Sequence, residues 1–251
     1  KLEDNDKLVG VEVASEKQHI MLSSNFGKAL RCQVDAVRVF KGRKSVGVRG
    51  IRLEKGDRVI SMSVLNGGEH DFETRALYLK IPLETRTAIK NAADADIAAL
   101  AKSVESEVPK DKVIDWAKNE EFLLAVTENG YGKRTSAYEY RITNRGGKGI
   151  TNIDTSERNG KVIGSFPVKP TDQIMLITDK GKLIRMPVNG IRIAGRSTQG
   201  VILFRLNDDE KVVSAARIAD SGDGSGEIDD MEGGDMDESV IEEKVLEQAA
   251  E

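Results

Sequence analysis

The 251 residues carry 39% apolar, 32% charged and 4% aromatic side chains with a formal net charge of −4, a composition suited to one or two globular domains with a buried core. A single cysteine, Cys32, excludes a disulfide framework and a thiolate zinc cluster, and two histidines, His19 and His70, leave little from which to build an imidazole metal site. No apolar run approaches the roughly 20 residues of a membrane span, and Lys1-Leu2-Glu3-Asp4 lacks the regions of a signal peptide. The chain therefore reads as intracellular and, opening without methionine, as a segment of a longer protein.

Charge divides the chain into blocks of opposite sign: +6 over residues 8–65, −4 over 66–121, +7 over 122–218 and −12 over 219–251. The two basic blocks hold three copies of one pattern. The first runs from Ile20-Met21-Leu22 through Gly27 and Arg31 to Gly42-Arg43-Lys44-Ser45-Val46-Gly47-Val48, then Val59-Ile60. In each copy an apolar run meets a glycine turn, an arginine follows four residues later, and an apolar strand returns, which predicts a β-hairpin. A second glycine stands four residues after another arginine and before a β-branched residue that opens a further strand. Each copy is thus about four short strands, the composition of a radially arranged blade. Three copies do not close a ring.

Residues 66–121 interrupt the repeat with helical spacing. Ile89, Ala92, Ala93, Ile97, Leu100, Ala101 and Val104 predict one helix stopped before Pro109, with a shorter one starting near Val113, the whole inserted at the edge of a blade. The second copy, 122–168, has Gly130, Arg134 and Arg145-Gly146-Gly147-Lys148-Gly149-Ile150. The third, 169–218, has Gly181, Arg185 and Arg196-Ser197-Thr198-Gln199-Gly200-Val201, at a constant offset of 51 residues from the second. The tail, 219–251, with Ser221-Gly222-Asp223-Gly224-Ser225-Gly226, is expected to be disordered apart from a short amphipathic turn around Val240, Ile241, Val245 and Leu246.

The recurring Arg and Gly positions carry the chemistry. Glycines at 146, 147 and 149 let the backbone approach another molecule, and Arg145, Lys148 and free N–H groups can meet phosphate oxygens. A single such turn reads equally as a solvated β-turn. Recurrence, with net +13 over the two blocks, favours a curved basic stripe and a polyanionic partner, and few aromatics favour duplex backbone over stacked single strands.

At these residues the chain resembles the DNA gyrase A C-terminal domain family. Thr143-Asn144-Arg145-Gly146-Gly147-Lys148-Gly149 is similar to the family's box, Q-R-R-G-G-K-G, with Thr143 and Asn144 in place of Gln-Arg. Glu128-Asn129-Gly130-Tyr131-Gly132-Lys133-Arg134-Thr135, Gly47-Val48-Arg49-Gly50-Ile51-Arg52-Leu53 and Gly195-Arg196-Ser197-Thr198-Gln199-Gly200-Val201-Ile202-Leu203 resemble blade segments, so the likeness covers about 8–218. It implies an all-β fold, the last three blades of a six-bladed β-pinwheel with a helical insertion and a disordered acidic tail. The family's principal box belongs to the first blade, which this stretch does not contain.

The resemblance implies duplex DNA wrapped in a positive sense and presented to the N-terminal cleavage core of gyrase A, in an A2B2 complex with gyrase B. The holoenzyme, a type II DNA topoisomerase, supercoils DNA negatively in the bacterial cytoplasm, on the nucleoid. ATP and Mg2+ belong to other regions; catalytic residues, cofactor and membrane contact are not expected here. The expected DNA contacts are Arg43, Lys44, Arg145, Gly146, Gly147, Lys148, Gly149 and Arg196, with Arg31, Arg134 and Arg185. The tail is expected to compete with DNA for these cations. Two alternatives stand beside this reading: the equivalent domain of topoisomerase IV, and a propeller-like protein-interaction scaffold.

Two catalytic resemblances fail on their residues. The segment ending in Lys133 has Thr127 where a Walker loop needs glycine and Arg134 where it needs Ser or Thr, and Tyr131, Tyr138 and Tyr140 fall on blade-like strands and turns.

Overall fold

The computed structural model describes residues 6–68 and 71–219. The predicted hairpins form in all three repeats: β1 (His19–Ser24) with β2 (Lys28–Gln33), β4 (Phe122–Thr127) with β5 (Tyr131–Ser136), and β8 (Gln173–Thr178) with β9 (Leu183–Pro187). Their registers match, with Met21 opposite Arg31, Leu124 opposite Arg134 and Met175 opposite Arg185. A third strand of the same repeat, β3 (Val59–Leu65), β7 (Val162–Val168) or β11 (Val212–Ile218), pairs antiparallel with the first strand, with a register shift near one end in each case.

The fourth strand comes from the following repeat. Strand β6 (Ile150–Thr151) of the second repeat adds to β2, giving the order β3-β1-β2-β6, and β10 (Val201–Ile202) of the third adds to β5, giving β10-β5-β4-β7. Each of these sheets is completed by exchange, and the third sheet, with no later repeat to draw on among the described residues, has three strands in the order β11-β8-β9. The exchange requires the chain to turn sharply onto a neighbouring strand, and glycine supplies the turn. Gly149 (φ 72°) and Gly200 (φ 81°) are left-handed, and a Cβ on either would lie 2.7 Å from a carbonyl oxygen of the preceding sheet, Ala29 or Gly132.

Apolar faces of successive sheets close the core. Met21, Ala29 and Leu65 pack with Leu123, Ala137 and Tyr140, and Leu124, Val126 and Val168 pack with Ile174, Leu176 and Val212. Cys32 is buried beside Leu30 and Ile51, as its core reading implied.

The insertion holds four helices: α1 (Phe72–Lys80), α2 (Leu83–Asn91), α3 (Asp94–Ser103) and α4 (Lys110–Asn119). The single helix expected from Ile89 to Val104 is broken at Ala92 and Ala93, both extended. In a straight helix Ile89 and Ile97 would stand about 12 Å apart along the axis; the break lets both enter one buried cluster with Tyr78, Val113 and Trp116. Pro109 directly precedes α4, where its missing N–H costs no helix hydrogen bond. The segment leaves from the edge strand β3 but returns into β4, so it bridges two sheets rather than lengthening a loop within one. Tyr138, in a 3-10 turn (Ala137–Glu139), docks it: its ring meets Tyr78 edge-on at 5.5 Å, and its hydroxyl donates to the Trp116 carbonyl at 3.1 Å. Buried Glu120 accepts from Tyr78 (2.9 Å) and Ser136 (2.6 Å) and pairs with Arg86.

Candidate nucleic-acid interface

The arginines that follow the first two hairpin turns face the next repeat, not solvent. Arg31 is buried; its Nε donates to His19 Nδ1 (3.1 Å) and its Nη1 to the carbonyl of Ala137 (2.8 Å). Arg134, also buried, donates to the carbonyls of Ile191 (2.7 Å) and Asn189 (3.0 Å). Burial pushes the Arg31 guanidinium down to about 10. Both side chains fasten one repeat to the turn of the next, which removes their guanidinium groups from the solvent edge where the sequence placed them. Arg185, the third member, is exposed on β9 and donates to Gln173.

The box arginines repeat a second contact. Arg145 Nη1 donates to the carbonyl of Arg49 (3.2 Å) and its Nε to that of Ala36 (3.0 Å); Arg196 Nη1 donates to the carbonyl of Thr151 (2.9 Å), the residue equivalent to Arg49. Both are half-buried. The box glycines serve the same seam. The Gly146 N–H, expected to be open to phosphate, donates to the Gly50 carbonyl (2.5 Å), and the Gly147 carbonyl accepts from the Arg52 N–H (2.7 Å). Arg43 and Lys44, in the first repeat, are exposed on a segment without regular strand.

This pairing assembles a cation group that the repeat pattern did not single out. Arg49 and Arg52 lie exposed along the backbone against which the second box docks, beside exposed Lys148. Their signal in the sequence is the run Gly47-Val48-Arg49-Gly50-Ile51-Arg52, two cations directly after the box-equivalent glycine. The second junction is built alike but charged differently: Thr151 replaces Arg49, Asp154, whose N–H donates to the Thr198 carbonyl (3.1 Å), replaces Arg52, and Gln199 replaces Lys148.

The third box turns around a buried ammonium. Lys133 Nζ donates to the carbonyls of Gly195 (2.5 Å), Arg196 (2.8 Å) and Thr198 (3.1 Å) and reaches Thr198 Oγ1 at 3.2 Å. Burial pushes it down to about 8, opposed by Glu139. In the first repeat Leu30 holds the equivalent place, and a Cβ added at Gly147 of the second box would lie 3.5 Å from its methyl. Tyr138 and Tyr140 are buried with phenols held well above their ordinary range by burial, consistent with structural roles. No group of His, Cys, Asp and Glu able to hold a metal occurs among the described residues, and no helix there is long and apolar enough to cross a membrane.

The family model described as "DNA gyrase C-terminal domain, beta-propeller" matches residues 1–15, 18–66, 121–169 and 172–219, passing over the helical insertion. The DNA gyrase A protein of Rickettsia typhi is 48% identical over 231 residues, 92% of this chain and 25% of that protein. The gyrase A protein of Haemophilus influenzae is 39% identical over 220 residues, 88% and 22%. The chain thus spans about a quarter of the length of these relatives. Among solved structures, a DNA gyrase A C-terminal domain superposes with a TM-score of 0.61 at 21% identity, covering 87% of this chain and 57% of that one. The C-terminal domain of a DNA topoisomerase IV superposes equally well, at 18% identity and with 87% and 52% covered. With the exchanged sheets, the repeated arginine fastenings and the matched segments in all three repeats, the chain belongs to the DNA gyrase A C-terminal domain family.

Proposed function

We propose that this chain binds duplex DNA through its phosphate backbone, bends it along the outer junctions of the repeats, and so serves as a wrapping element of a DNA gyrase. The observation that carries the reading is the first junction, where exposed Arg49, Arg52 and Lys148 stand on two backbone segments joined by the Gly146–Gly50 and Arg52–Gly147 hydrogen bonds. Pairing of the two segments brings three cationic positions to one junction, from which their long side chains can reach phosphates. Arg43 and Lys44 extend the set, and Arg185 is a further exposed candidate. Arg145, Arg196 and the box glycines 146, 147 and 149 hold the turns in place. Bending 20–30 base pairs by 40–90° costs about 1–6 kcal/mol, an amount that several phosphate contacts with counterion release can offset.

On this reading the wrapped duplex is delivered to the cleavage core of gyrase A, working with gyrase B in the bacterial cytoplasm. ATP and Mg2+ act in those other regions. Supercoiling then belongs to the assembly, and this chain supplies DNA path and sign.

The test is duplex affinity against salt. Arg52→Ala and Lys148→Ala should each lower the slope of log K against log salt by about 0.9, while Leu183→Ser, an exposed apolar change on β9, should leave it unchanged. Salt-insensitive or absent binding would refute the DNA reading in favour of a protein partner. Steep binding with no change in the topology of circular DNA would favour a role like that of topoisomerase IV.

A further inference from the structure

The two junctions are built on one plan and differ in charge. Two residues after the box glycine stand Arg49, Thr151 and Ile202 in the three repeats, five after it Arg52, Asp154 and Arg205, and one before it Val46, Lys148 and Gln199. Each junction takes the first two places from one repeat and the third from the next. The first therefore presents three exposed cations, Arg49, Arg52 and Lys148, and the second presents half-buried Thr151 and Gln199 with the exposed carboxylate of Asp154. Arginines that recur at both, half-buried Arg145 and Arg196 and exposed Arg141 and Arg192, leave that difference standing. Glu139 widens it: its carboxylate accepts the Arg196 N–H at 3.0 Å and stands 3.9 Å from Arg196 Nε, where the first junction has the neutral carbonyl of Ala36 on Arg145.

Asp154 is held at the seam. Its N–H donates to the Thr198 carbonyl (3.1 Å), Asn159 Nδ2 donates to the carbonyls of both Asp154 (2.8 Å) and Gln199 (3.0 Å), and Gln199 Nε2 stands 3.5 Å from Asp154 Oδ2. Lys133, on which the Asp154 charge acts, is buried with its protons given to box carbonyls, so it offers no cation to a phosphate. Arg158, on the loop that follows, lies over the Tyr131 ring beside exposed Glu157. Beyond the junction the trend continues: Ile202, 47% exposed, holds the place of Arg49, and exposed Asp208 that of Lys55, each directly before a left-handed residue, Asp209 or Gly56. A duplex drawn onto three cations thus meets a carboxylate at the equivalent place one repeat on, and like charges within a Debye length of about 10 Å repel.

We propose that the bound duplex parts from the rim at the second junction, turned away by Asp154, so that the wrap is carried by the first repeat and the first junction and Arg185 lies off its path. The inference rests on the DNA reading above and fixes where contact ends. Duplex affinity of the full 251-residue chain is measured against salt, and the protected length is read by hydroxyl-radical footprinting. Arg205→Ala and Arg185→Ala should leave the salt slope unchanged while Lys148→Ala lowers its own by about 0.9. Asp154→Arg combined with Gln199→Lys rebuilds at the second junction the cation pair of the first; it should steepen the slope by about 0.9 for each cation added and lengthen the footprint, with the melting temperature retained. Asp154→Arg alone, at an exposed position, should give half that change and serves where the double variant loses stability. A lowered slope in Arg205→Ala or Arg185→Ala would carry the duplex across the second junction and overturn the proposal. Slope and footprint unmoved in the Asp154 variants, with the Lys148 effect intact, would overturn it while leaving the DNA reading standing. Loss of the Lys148 effect would overturn both.

Discussion

Replacing Lys133 by methionine tests whether a buried ammonium organises the third box. Its three donors serve carbonyls of Gly195, Arg196 and Thr198 within 3.1 Å, with Thr198 Oγ1 close by. Hydrogen bonds to a charged donor contribute about 1.5–3 kcal/mol each, and burial, which holds the ammonium down to about 8, opposes them. Lys133→Met leaves three carbonyls of the turn without this donor and should destabilise the chain by about 2–5 kcal/mol at pH 7. The pH dependence has a definite sign. Because the folded-state value lies below the unfolded one, the unfolded chain binds more protons between about pH 8 and 10.5, and this residue makes stability rise with pH across that window. Chemical denaturation of both proteins from pH 7 to 10.5 gives a difference curve from which other titrating groups cancel. A methionine variant as stable as the parent at pH 7, or a difference curve flat from pH 8 to 10.5, would refute the cage.

Gly149→Ala forces a left-handed alanine whose Cβ meets the Ala29 oxygen at 2.7 Å; with about 1–2 kcal/mol of backbone strain alone, a thermal scan should show a loss of several degrees. Arg134→Met strands the carbonyls of Ile191 and Asn189 and should cost about 1–3 kcal/mol in denaturant titration while leaving the salt slope of DNA binding unchanged. A lowered slope would mean that Arg134 touches phosphate after all. Residues 220–251, which include the expected disordered tail and its amphipathic turn, lie outside the described residues, but their charge opposes the +13 of the basic blocks. Ending the chain after Ala219 should tighten DNA binding most at low salt, and equal affinity of the two chains there would dismiss competition by the tail.

Strands and turns were legible because the sequence states them three times. The constant spacing from Arg134 to Arg185 and from Arg145 to Arg196 fixes equivalent registers, and glycines 47, 149 and 200 mark the same left-handed turn. The exposure of each cation was not legible, because it depends on partners distant in sequence. Arg31 finds Ala137, 106 residues away, and Arg134 finds Ile191. Arg145 and Lys148 share one turn and one charge, yet the first reaches back to Ala36 and Arg49 while the second points to solvent. Strand exchange decides between them, and local periodicity carries no trace of it. The break in the insertion at Ala92 has the same origin, since two good helix formers yield there to the packing of Ile89 and Ile97 in one cluster. Lys133, set in a glycine-rich run that only resembles a phosphate loop, likewise takes its role from a turn more than sixty residues on.

The most direct test of wrapping is the topology of circular duplex DNA ligated in the presence of the full chain and then stripped of protein. Wrapping in a positive sense predicts a topoisomer distribution shifted to positive linking difference in proportion to bound protein, with the shift reduced in Arg52→Ala and Lys148→Ala. A distribution centred where it lies without protein, at concentrations that saturate the DNA, would contradict it.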